Sequence, residues 1–264
     1  MKTTGINHIV RLMGIATVCT LFLSSCNHSK TEKAILLKER LYTIVDSAPG
    51  TVGIAFISDR DTVTVNGGVH FPMMSIFKLH QALAVASEID ANHASIDSLV
   101  HVSRHELDPD TWSPMLELIY EKEFDISIRD LIKYSLTLSD NNASNLLFKH
   151  ILSPSGTDSL IRSISDNPSF RIMYSEKEMK EHHSKAYQNY STPLSAASLI
   201  SQVFDSTFTT ISSIDSIRQD LTNVITGTDR LGAVLRQHQD LFFAHKTGRG
   251  FQNDAVELIA HNDV

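Results

Sequence analysis

Residues 71–89 have the sequence FPMMSIFKLHQALAVASEI, in which the pattern becomes helical from Ser75 onward. A spacing of three residues places Ser75 and Lys78 on one face of the predicted helix, so the lysine amine can reach the serine hydroxyl. Serine becomes an effective nucleophile only when a neighbouring base accepts its proton, and a partly buried lysine can be that base. The same residues also suit an ordinary helix start, with Ser75 as the N-cap and Lys78 on the surface.

The segments on either side of this helix predict an α+β fold. Most of residues 80–225 has helical periodicity, and residues 154–193 have the weaker periodicity of a long ordered loop. Strand-like segments are predicted near both ends, at residues 51–58, 62–65, 241–245 and 256–261. This order predicts one antiparallel sheet, flanked by helices, whose two halves are separated by an inserted all-helical domain.

The composition excludes several classes of function. The chain has 264 residues, a net charge of -7 and no run of lysine or arginine, so we expect no nucleic-acid partner. Its two cysteines lie near the N-terminus and cannot form a disulfide framework for the fold. The 13 histidines form neither an H-x-H-x-D nor an H-E-x-x-H pattern, so we expect no metal and no cofactor.

The N-terminus is predicted to direct export. Positive charge precedes an apolar run over residues 12–23, which is too short to span a membrane as a helix. The run ends in Leu-Ser-Ser-Cys at Cys26, which resembles a bacterial lipobox; an ordinary signal peptide with a coincidental cysteine is the alternative. We expect an exported, periplasm-facing protein that touches the membrane only through a lipid on Cys26.

The sequence predicts four segments. They are a lipoprotein signal peptide over residues 1–25, a tether over 26–32, an α/β part over 33–70 and 226–264, and an all-helical part over 71–225 with an omega-type loop near 170–193.

A second short motif, S-D-N, occupies residues 139–141 after the helical segment LIKYSLTL. The hydroxyl of Ser139 near Lys78 can relay a proton to a leaving nitrogen, and the amide of Asn141 can hold a substrate carbonyl. These residue types also favour helix caps and turns, so the motif alone does not distinguish a site from a turn.

A third motif, K-T-G, occupies residues 246–248 on a predicted strand. The charge of Lys246 and the hydroxyl of Thr247 suit a substrate carboxylate, and Gly248 allows close approach of the backbone. A turn at the end of a strand is the alternative explanation for this motif.

Taken in this order, the three motifs are those of class A β-lactamases and penicillin-binding proteins. With the flanking sequences FPMMSIFK, TLSDNNASNLL and AHKTG, residues 33–264 resemble a class A serine β-lactamase. The resemblance implies a β-lactamase/transpeptidase-like fold in a monomer. It also implies hydrolysis of the β-lactam ring of penicillins and cephalosporins through an acyl-enzyme on Ser75, which confers antibiotic resistance.

The resemblance also implies which residues bind the substrate. The backbone N–H groups of Ser75 and Arg249 match the family's oxyanion hole, and Lys78 or Glu176 takes the serine proton, a choice that the sequence leaves open. Trp112 resembles the aromatic residue beside the family's cleft, and Arg230 lies in a stretch similar to T-G-x-x-R-[IL]. The expected substrate-binding residues are Asn141, Lys246, Thr247, Gly248, Arg249, Arg230 and Trp112.

Hydrolysis of the acyl-enzyme requires a base that activates water. In the family this base is a glutamate on a loop, and Glu176 lies at close to the family's spacing beyond Ser139. Asn145 occupies the place of the asparagine that steadies this glutamate. Glu178 is the rival assignment for the base.

Two further positions depart from the common pattern of the family. Lys180 stands where an asparagine is usual, so a second holder of the hydrolytic water is missing or replaced. Asn189 resembles the loop-closing position of the CfxA-type cephalosporinase branch, in which this loop is altered. Cephalosporin preference is therefore implied only through that branch.

The family pattern continues beyond K-T-G with further strands and a long C-terminal helix. We therefore expect a C-terminally truncated sequence that lacks the last strand and helix. Two alternative functions stay open: a penicillin-binding or D,D-peptidase-like protein that releases its acyl group slowly, and a non-catalytic lipoprotein.

Overall fold

The computed structural model describes residues 32–59, 61–205, 207–235, 237, 241–250 and 254–261. The predicted signal peptide and Cys26 lie outside the described residues. The chain divides into two compact units, Met1–Asn66 and Gly67–Val264. The predicted division into an α/β part and a helical part stays a prediction.

The described residues of the first unit form one helix and a β-hairpin. Helix α1 covers residues 32–46, and strands β1 (Ile54–Ile57) and β2 (Thr62–Val65) pair antiparallel. The turn between the strands is closed by the N–H of Ser58, which donates to the carbonyl of Asp61 at 3.0 Å. The hairpin predicted from the apolar runs is confirmed.

The second unit contains most of the secondary structure. Its helices are α2 (Phe77–Ala91), α3 (Ile128–Thr137), α4 (Asn141–His150), α5 (Pro154–Ile164), α6 (Glu176–Glu181), α7 (Pro193–Phe204), α8 (Ile214–Thr222) and α9 (Leu231–Leu235). Its strands are β3 (Phe71–Pro72), β4 (Leu99–Ser103), β5 (Glu123–Ser127), β6 (Phe170–Arg171), β7 (Tyr190–Ser191), β8 (Phe243–Arg249) and β9 (Ala255–His261). Short 3₁₀ turns are Met74–Ile76, Arg104–Glu106, Pro114–Glu117 and His183–Tyr187.

The described strands pair antiparallel, some with a neighbour in the chain and some with a distant segment. β1 pairs with β2 and β8 pairs with β9, and the single sheet predicted to contain both hairpins stays a prediction. β4 pairs with β5, and β3, β7 and β6 form a small three-stranded sheet. The hairpins join strands that are neighbours in the chain, for which loop closure costs little entropy.

Two details of residues 71–225 differ from the sequence prediction. The segment is not all-helical, since β4 and β5 lie within it; alternation of exposed and buried residues in β4 turns Val100 and Val102 inward against the core. The loop predicted over residues 154–193 begins with a helix, α5. Ser153 caps α5 by accepting from the N–H of Gly156 at 3.2 Å, which offsets the weak periodicity.

Helix α2 is buried along almost its whole surface. Eleven of its 15 residues are buried, and it contacts α3, α4, α5 and α8. A helix that is apolar on all sides belongs in the centre of a domain, where neighbouring helices cover every face. The 3₁₀ turn Met74–Ile76 leads directly into this helix, so Ser75 lies just before a helix that neighbouring elements cover on most sides.

No helix in the described part of the chain has the length and apolar character that crossing a membrane requires.

His80 is a fully buried histidine within α2. Its ring packs edge-on against Phe170 of β6, with 4.8 Å between the ring centroids. Burial, partly opposed by the backbone carbonyl of Ile76, lowers the pKa of His80 from 6.5 to about 3. The folded protein therefore holds this imidazole neutral at pH values where the unfolded chain would protonate it.

We expect the substitution His80→Leu to weaken the acid sensitivity of the fold. The wild-type free energy of unfolding should fall by about 1.4 kcal/mol per pH unit between pH 6.5 and 3 through His80, because the unfolded chain binds the proton first. Between pH 7 and pH 5, the free energy of unfolding should therefore fall by about 2 kcal/mol less in the variant than in the wild type. Urea unfolding at both pH values measures this, with exposed His105→Leu as control; equal pH dependence in wild type and H80L would contradict it.

Candidate active site

Ser75 lies in a strained turn at the start of α2. Met74, immediately before it, has φ 45°, a left-handed conformation that is costly for a residue with a side chain and that clusters at functional sites. The N–H of Met73 donates to the carbonyl of Asn189 at 2.8 Å. The Ser75 hydroxyl lies 3.4 Å from both Lys78 Nζ and Glu176 Oε1. The turn thus holds one hydroxyl between an amine and a carboxylate.

Lys78 is fully buried, and its Nζ contacts four groups. It donates to Asn141 Oδ1 at 2.6 Å and to the carbonyl of Ser139 at 2.8 Å, and it pairs with Glu176 Oε1 at 2.9 Å. A buried ammonium is tolerated only when hydrogen bonds and an opposite charge replace its water. The sequence pattern predicted Ser75 and Lys78 on one helix face. The structure also brings the S-D-N motif and Glu176 to the amine of Lys78.

The two candidate glutamates of α6 face different partners. Glu176, 13% exposed, points to Ser75 and Lys78. Glu178 Oε2 accepts from both the N–H and the hydroxyl of Ser175 at 2.9 Å, which forms a capping box at the start of α6. The carboxylate of Glu178 is thus committed to its own helix, and only Glu176 of the pair is directed to the Ser75 hydroxyl.

Asn145 acts on the backbone of α6. The resemblance predicted contact with Glu176, whereas the structure shows Asn145 Oδ1 accepting from the N–H of Lys177 at 3.1 Å. This N–H belongs to the first turn of α6, where no earlier carbonyl of the helix can accept it. Asn145 therefore holds the helix start that carries Glu176.

Ser139 lies between the two lysines of the site. Its hydroxyl accepts from Lys246 Nζ at 2.9 Å, and its carbonyl accepts from Lys78. Its φ of 55° is again left-handed. Asp140 maintains this turn by accepting from the N–H groups of Ala143 and Met115 at 2.9 and 2.7 Å; burial raises the pKa of Asp140.

Asn141 and Trp112 are joined at the entrance of the site. The N–H of Asn141 donates to the carbonyl of Trp112 at 3.0 Å, and Asn141 Nδ2 donates to Thr111 Oγ1 at 2.9 Å. Trp112 is 60% exposed, although its Nε1 donates to the carbonyl of Leu138 at 2.9 Å. Thr111 carried no signal in the sequence because it lies in a loop outside every motif.

Strand β8 supplies the other wall of the site. Lys246 is fully buried, and burial together with the charge of Lys78 lowers the pKa of Lys246 well below its ordinary value. A bound anion would favour its charged form. Thr247 Oγ1 lies 2.7 Å from Thr226 Oγ1. Thr226 begins the T-G-x-x-R-[IL]-like stretch, of which the sequence predicted only Arg230 as a site residue.

Arg230 braces the backbone of the β8–β9 hairpin. Its Nη1 donates to the carbonyls of Gly248 at 2.9 Å and Val256 at 3.2 Å. The predicted contact with a substrate carboxylate would use the rest of its guanidinium, which has five N–H donors. Arg249 ends β8 with an exposed side chain.

Gly248 allows β8 to lie directly against the turn Met74–Ile76, which contains Ser75. A Cβ at this position would be 2.8 Å from Met74 Cβ and 3.0 Å from the backbone nitrogen of Ser75. Any side chain would push the strand away from the N–H group that the resemblance assigns to the oxyanion hole. The glycine is thus required by close approach of two backbones.

Asn189 joins the two ends of the omega-type loop. Its Oδ1 accepts from the N–H groups of Met173 and Tyr174 at 2.8 and 3.1 Å, and its Nδ2 donates to the carbonyl of Tyr174 at 2.7 Å and to Met179 Sδ at 3.4 Å. The side chain is fully buried. Its position matches the loop-closing place predicted from the sequence.

Among the residues described, no group of three or more histidine, cysteine or acidic side chains is arranged to hold a metal ion.

Comparison with known sequences gives one family. The chain matches the beta-lactamase enzyme family over residues 36–262. It is 41% identical to a beta-lactamase from Phocaeicola vulgatus, over 96% of this chain and 82% of that protein. It is 28% identical to the extended-spectrum beta-lactamase PER-1 from Pseudomonas aeruginosa, over 90% of this chain and 78% of that protein.

Comparison with solved structures agrees. The crystal structure of a beta-lactamase from Chitinophaga pinensis is similar with a TM-score of 0.74 and 32% identity, over 80% of this chain and 77% of that one. The TLA-1 extended-spectrum beta-lactamase is similar with a TM-score of 0.77 and 28% identity, over 82% and 78%. These similarities confirm the predicted fold class, whereas the expected truncation stays a prediction.

We expect Asn189→Ala to destabilise the omega-type loop. The change leaves the part-buried N–H groups of Met173 and Tyr174 without their acceptor, which should cost about 2–4 kcal/mol of unfolding free energy. Amide exchange at Met173 and Tyr174 should accelerate together with this loss. The matched control is Asn92→Ala, which removes an exposed amide and should cost less than about 1 kcal/mol; similar losses in both variants would contradict the prediction.

Proposed function

The chain belongs to the beta-lactamase enzyme family, and we propose that it opens the β-lactam ring through a class A acyl-enzyme on Ser75 that Glu176 then hydrolyses. The observation that carries this proposal is the hydroxyl of Ser75 held 3.4 Å from both Lys78 Nζ and Glu176 Oε1. A nucleophile that touches a carboxylate and a lysine amine can lose its proton to whichever of the two is unprotonated, and the carboxylate can later activate water.

Acylation forms a bond between Ser75 Oγ and the ring carbonyl carbon and breaks the bond from that carbon to the ring nitrogen. The serine proton goes to Lys78 or to Glu176, and the 2.9 Å contact between these two groups allows it to pass from one to the other. The ring nitrogen takes a proton from the hydroxyl of Ser139, and Ser139 regains one through the two lysines that contact it, so that the proton lost by Ser75 is transferred in net to the ring nitrogen. The N–H groups of Ser75 and Arg249 stabilise the oxyanion, and one such donor is worth about 2.7–4 kcal/mol.

Substrate binding uses the walls of the site described above. The substrate carboxylate is placed against Lys246 and Thr247 on β8, with Arg230 beside them. A carboxylate would replace the water that burial has removed from Lys246, and so raise its lowered pKa. Asn141 Nδ2 holds the amide carbonyl of the substrate, and Trp112 covers the entrance.

Hydrolysis of the acyl-enzyme depends on Glu176. Its carboxylate accepts a proton from water as the water oxygen attacks the ester carbonyl of acylated Ser75, after which Ser75 Oγ leaves and regains a proton. Penicillins and cephalosporins are the proposed substrates, and the similarity to two extended-spectrum enzymes supports including cephalosporins.

We propose a monomer, as the resemblance to class A β-lactamases implies. Sedimentation equilibrium of the purified protein measures its oligomeric state.

Substitution of the nucleophile and the base should give two different defects. Purified Ser75→Ala should neither hydrolyse a chromogenic cephalosporin nor form an adduct detectable by mass spectrometry. Glu176→Ala should release one equivalent of product in a burst and keep the acyl adduct, because removal of a general base slows its step by about 10²–10⁴-fold. Stopped-flow absorbance and intact-protein mass spectrometry measure both steps.

The matched control is Glu178→Ala, which removes a carboxylate two residues away and should keep turnover within a few-fold of the wild type. Rapid turnover by the Glu176→Ala variant would contradict the role of Glu176 and favour Glu178. A wild-type acyl-enzyme that persists for many minutes would favour the D,D-peptidase-like alternative. Absence of acylation by a cooperatively folded wild type would favour the non-catalytic one.

We also propose export and lipid anchoring at Cys26, supported by the apolar run of residues 12–23 and the lipobox-like Leu-Ser-Ser-Cys. In a bacterial host, the wild type should incorporate labelled fatty acid and sediment with the membrane, whereas Cys26→Ala should do neither. Cys19→Ala, which changes the other cysteine of the chain, should behave as the wild type does. Equal labelling of the Cys26→Ala variant would contradict the anchor.

A further inference from the structure

An ion pair outside the reacting groups joins α6 to the segment that precedes Trp112. Lys180 Nζ donates to both carboxylate oxygens of Asp108, at 2.8 and 2.6 Å. The side chains are 37% and 21% exposed, so solvent screens the pair only in part. The hydrogen bond from Lys180 lowers the pKa of Asp108, so the carboxylate is charged at neutral pH. Lys180 is therefore directed to Asp108.

Asp108 is itself fixed to α4. Its N–H donates to Asn142 Oδ1 at 2.9 Å, and its carbonyl accepts from Asn142 Nδ2 at 3.0 Å. Asn142 is buried in the first turn of α4, next to Asn141, whose Oδ1 accepts from Lys78. The backbone of Asp108 is thus held at a fixed position relative to α4 and the residues around Ser75.

Helix α6 is too short to be stable without contacts to the rest of the fold. It has six residues, and isolated helices of this length do not persist in water. Asn145 of α4 holds its first turn through the N–H of Lys177. Lys180, four residues after Glu176 and therefore on the same side of the helix, holds its last turn through Asp108.

We propose that Lys180 and Asp108 are positioning residues for hydrolysis of the acyl-enzyme, because their ion pair sets the orientation of α6 that keeps the Glu176 carboxylate beside Ser75. This inference rests on the proposed role of Glu176. Acylation is less dependent on the pair, since Lys78 of the rigid helix α2 also reaches the Ser75 hydroxyl. Hydrolysis has only Glu176 as its base and is therefore sensitive to small displacements of α6.

The test separates acylation from hydrolysis of the acyl-enzyme in the full chain. Lys180→Met and Asp108→Asn should each slow hydrolysis by about tenfold and acylation by less than about threefold, so that kcat and KM for a chromogenic cephalosporin fall together. The double variant should be no slower than either single one, because both remove the same ion pair. Stopped-flow burst kinetics give the two rates.

Three further variants distinguish positioning from general stability. Lys149→Met breaks a comparable ion pair of α4, with Glu106 at 2.6 Å, and should keep wild-type rates. Exchange of the charges, Asp108→Lys with Lys180→Asp, should restore part of the hydrolysis rate. Added to Glu176→Ala, Lys180→Met should slow hydrolysis no further. Thermal unfolding of every variant shows whether each is folded at the assay temperature.

Wild-type hydrolysis by a folded Lys180→Met variant would overturn the inference. Equal slowing of acylation and hydrolysis, or additive slowing in the Glu176→Ala background, would overturn it as well. Failure of the wild type to form an acyl-enzyme would instead overturn the proposed function, so the two failures are distinguishable.

Discussion

Burial of two lysine amines is the constraint on which the site depends. Lys78 and Lys246 are both fully buried, and both contact Ser139, one through its carbonyl and the other through its hydroxyl. Charges removed from water must be compensated by hydrogen bonds and opposite charge, or the fold loses several kcal/mol. The need to surround these two amines brings α2, α4, α6 and β8 to one place. Catalytic geometry and native stability are therefore coupled here.

The contacts that surround the site also explain why the backbone tolerates strained conformations nearby. Met74, with φ 45°, directly precedes Ser75, and Ser139, with φ 55°, contacts both Lys78 and Lys246. Burial of α2 on all sides holds the first turn, and the contacts of Asp140 hold the second. Gly248 then allows β8 to lie against the turn Met74–Ile76, which contains Ser75. The turns at Met74 and Ser139 and strand β8 are thus held by extensive packing. Helix α6 has only six residues, so its position depends on the side chains that hold its two ends.

Elements with strong local signals were predicted, and elements that depend on distant partners were not. The β1–β2 hairpin and the pairing of Ser75 with Lys78 follow from spacing within a few residues. The strands within residues 71–225 and helix α5 were missed, because pairing partners and an N-cap decided them rather than apolar periodicity. Asn145 was placed correctly beside the loop but contacts the N–H of Lys177 instead of a carboxylate. Lys180 was noticed as a departure from the pattern, whereas its partner Asp108 carried no signal.

The sequence by itself determined the family, the order of the three motifs and the pairing of Ser75, the proposed nucleophile, with Lys78. These features depend on residue type and short spacing, which survive without knowledge of the fold. Only the tertiary structure decided which glutamate faces the serine, since Glu176 and Glu178 are two residues apart and project in different directions from a short helix. It also decided how α6 is held. Contacts between residues separated by tens of positions arise from packing, and no local pattern encodes them.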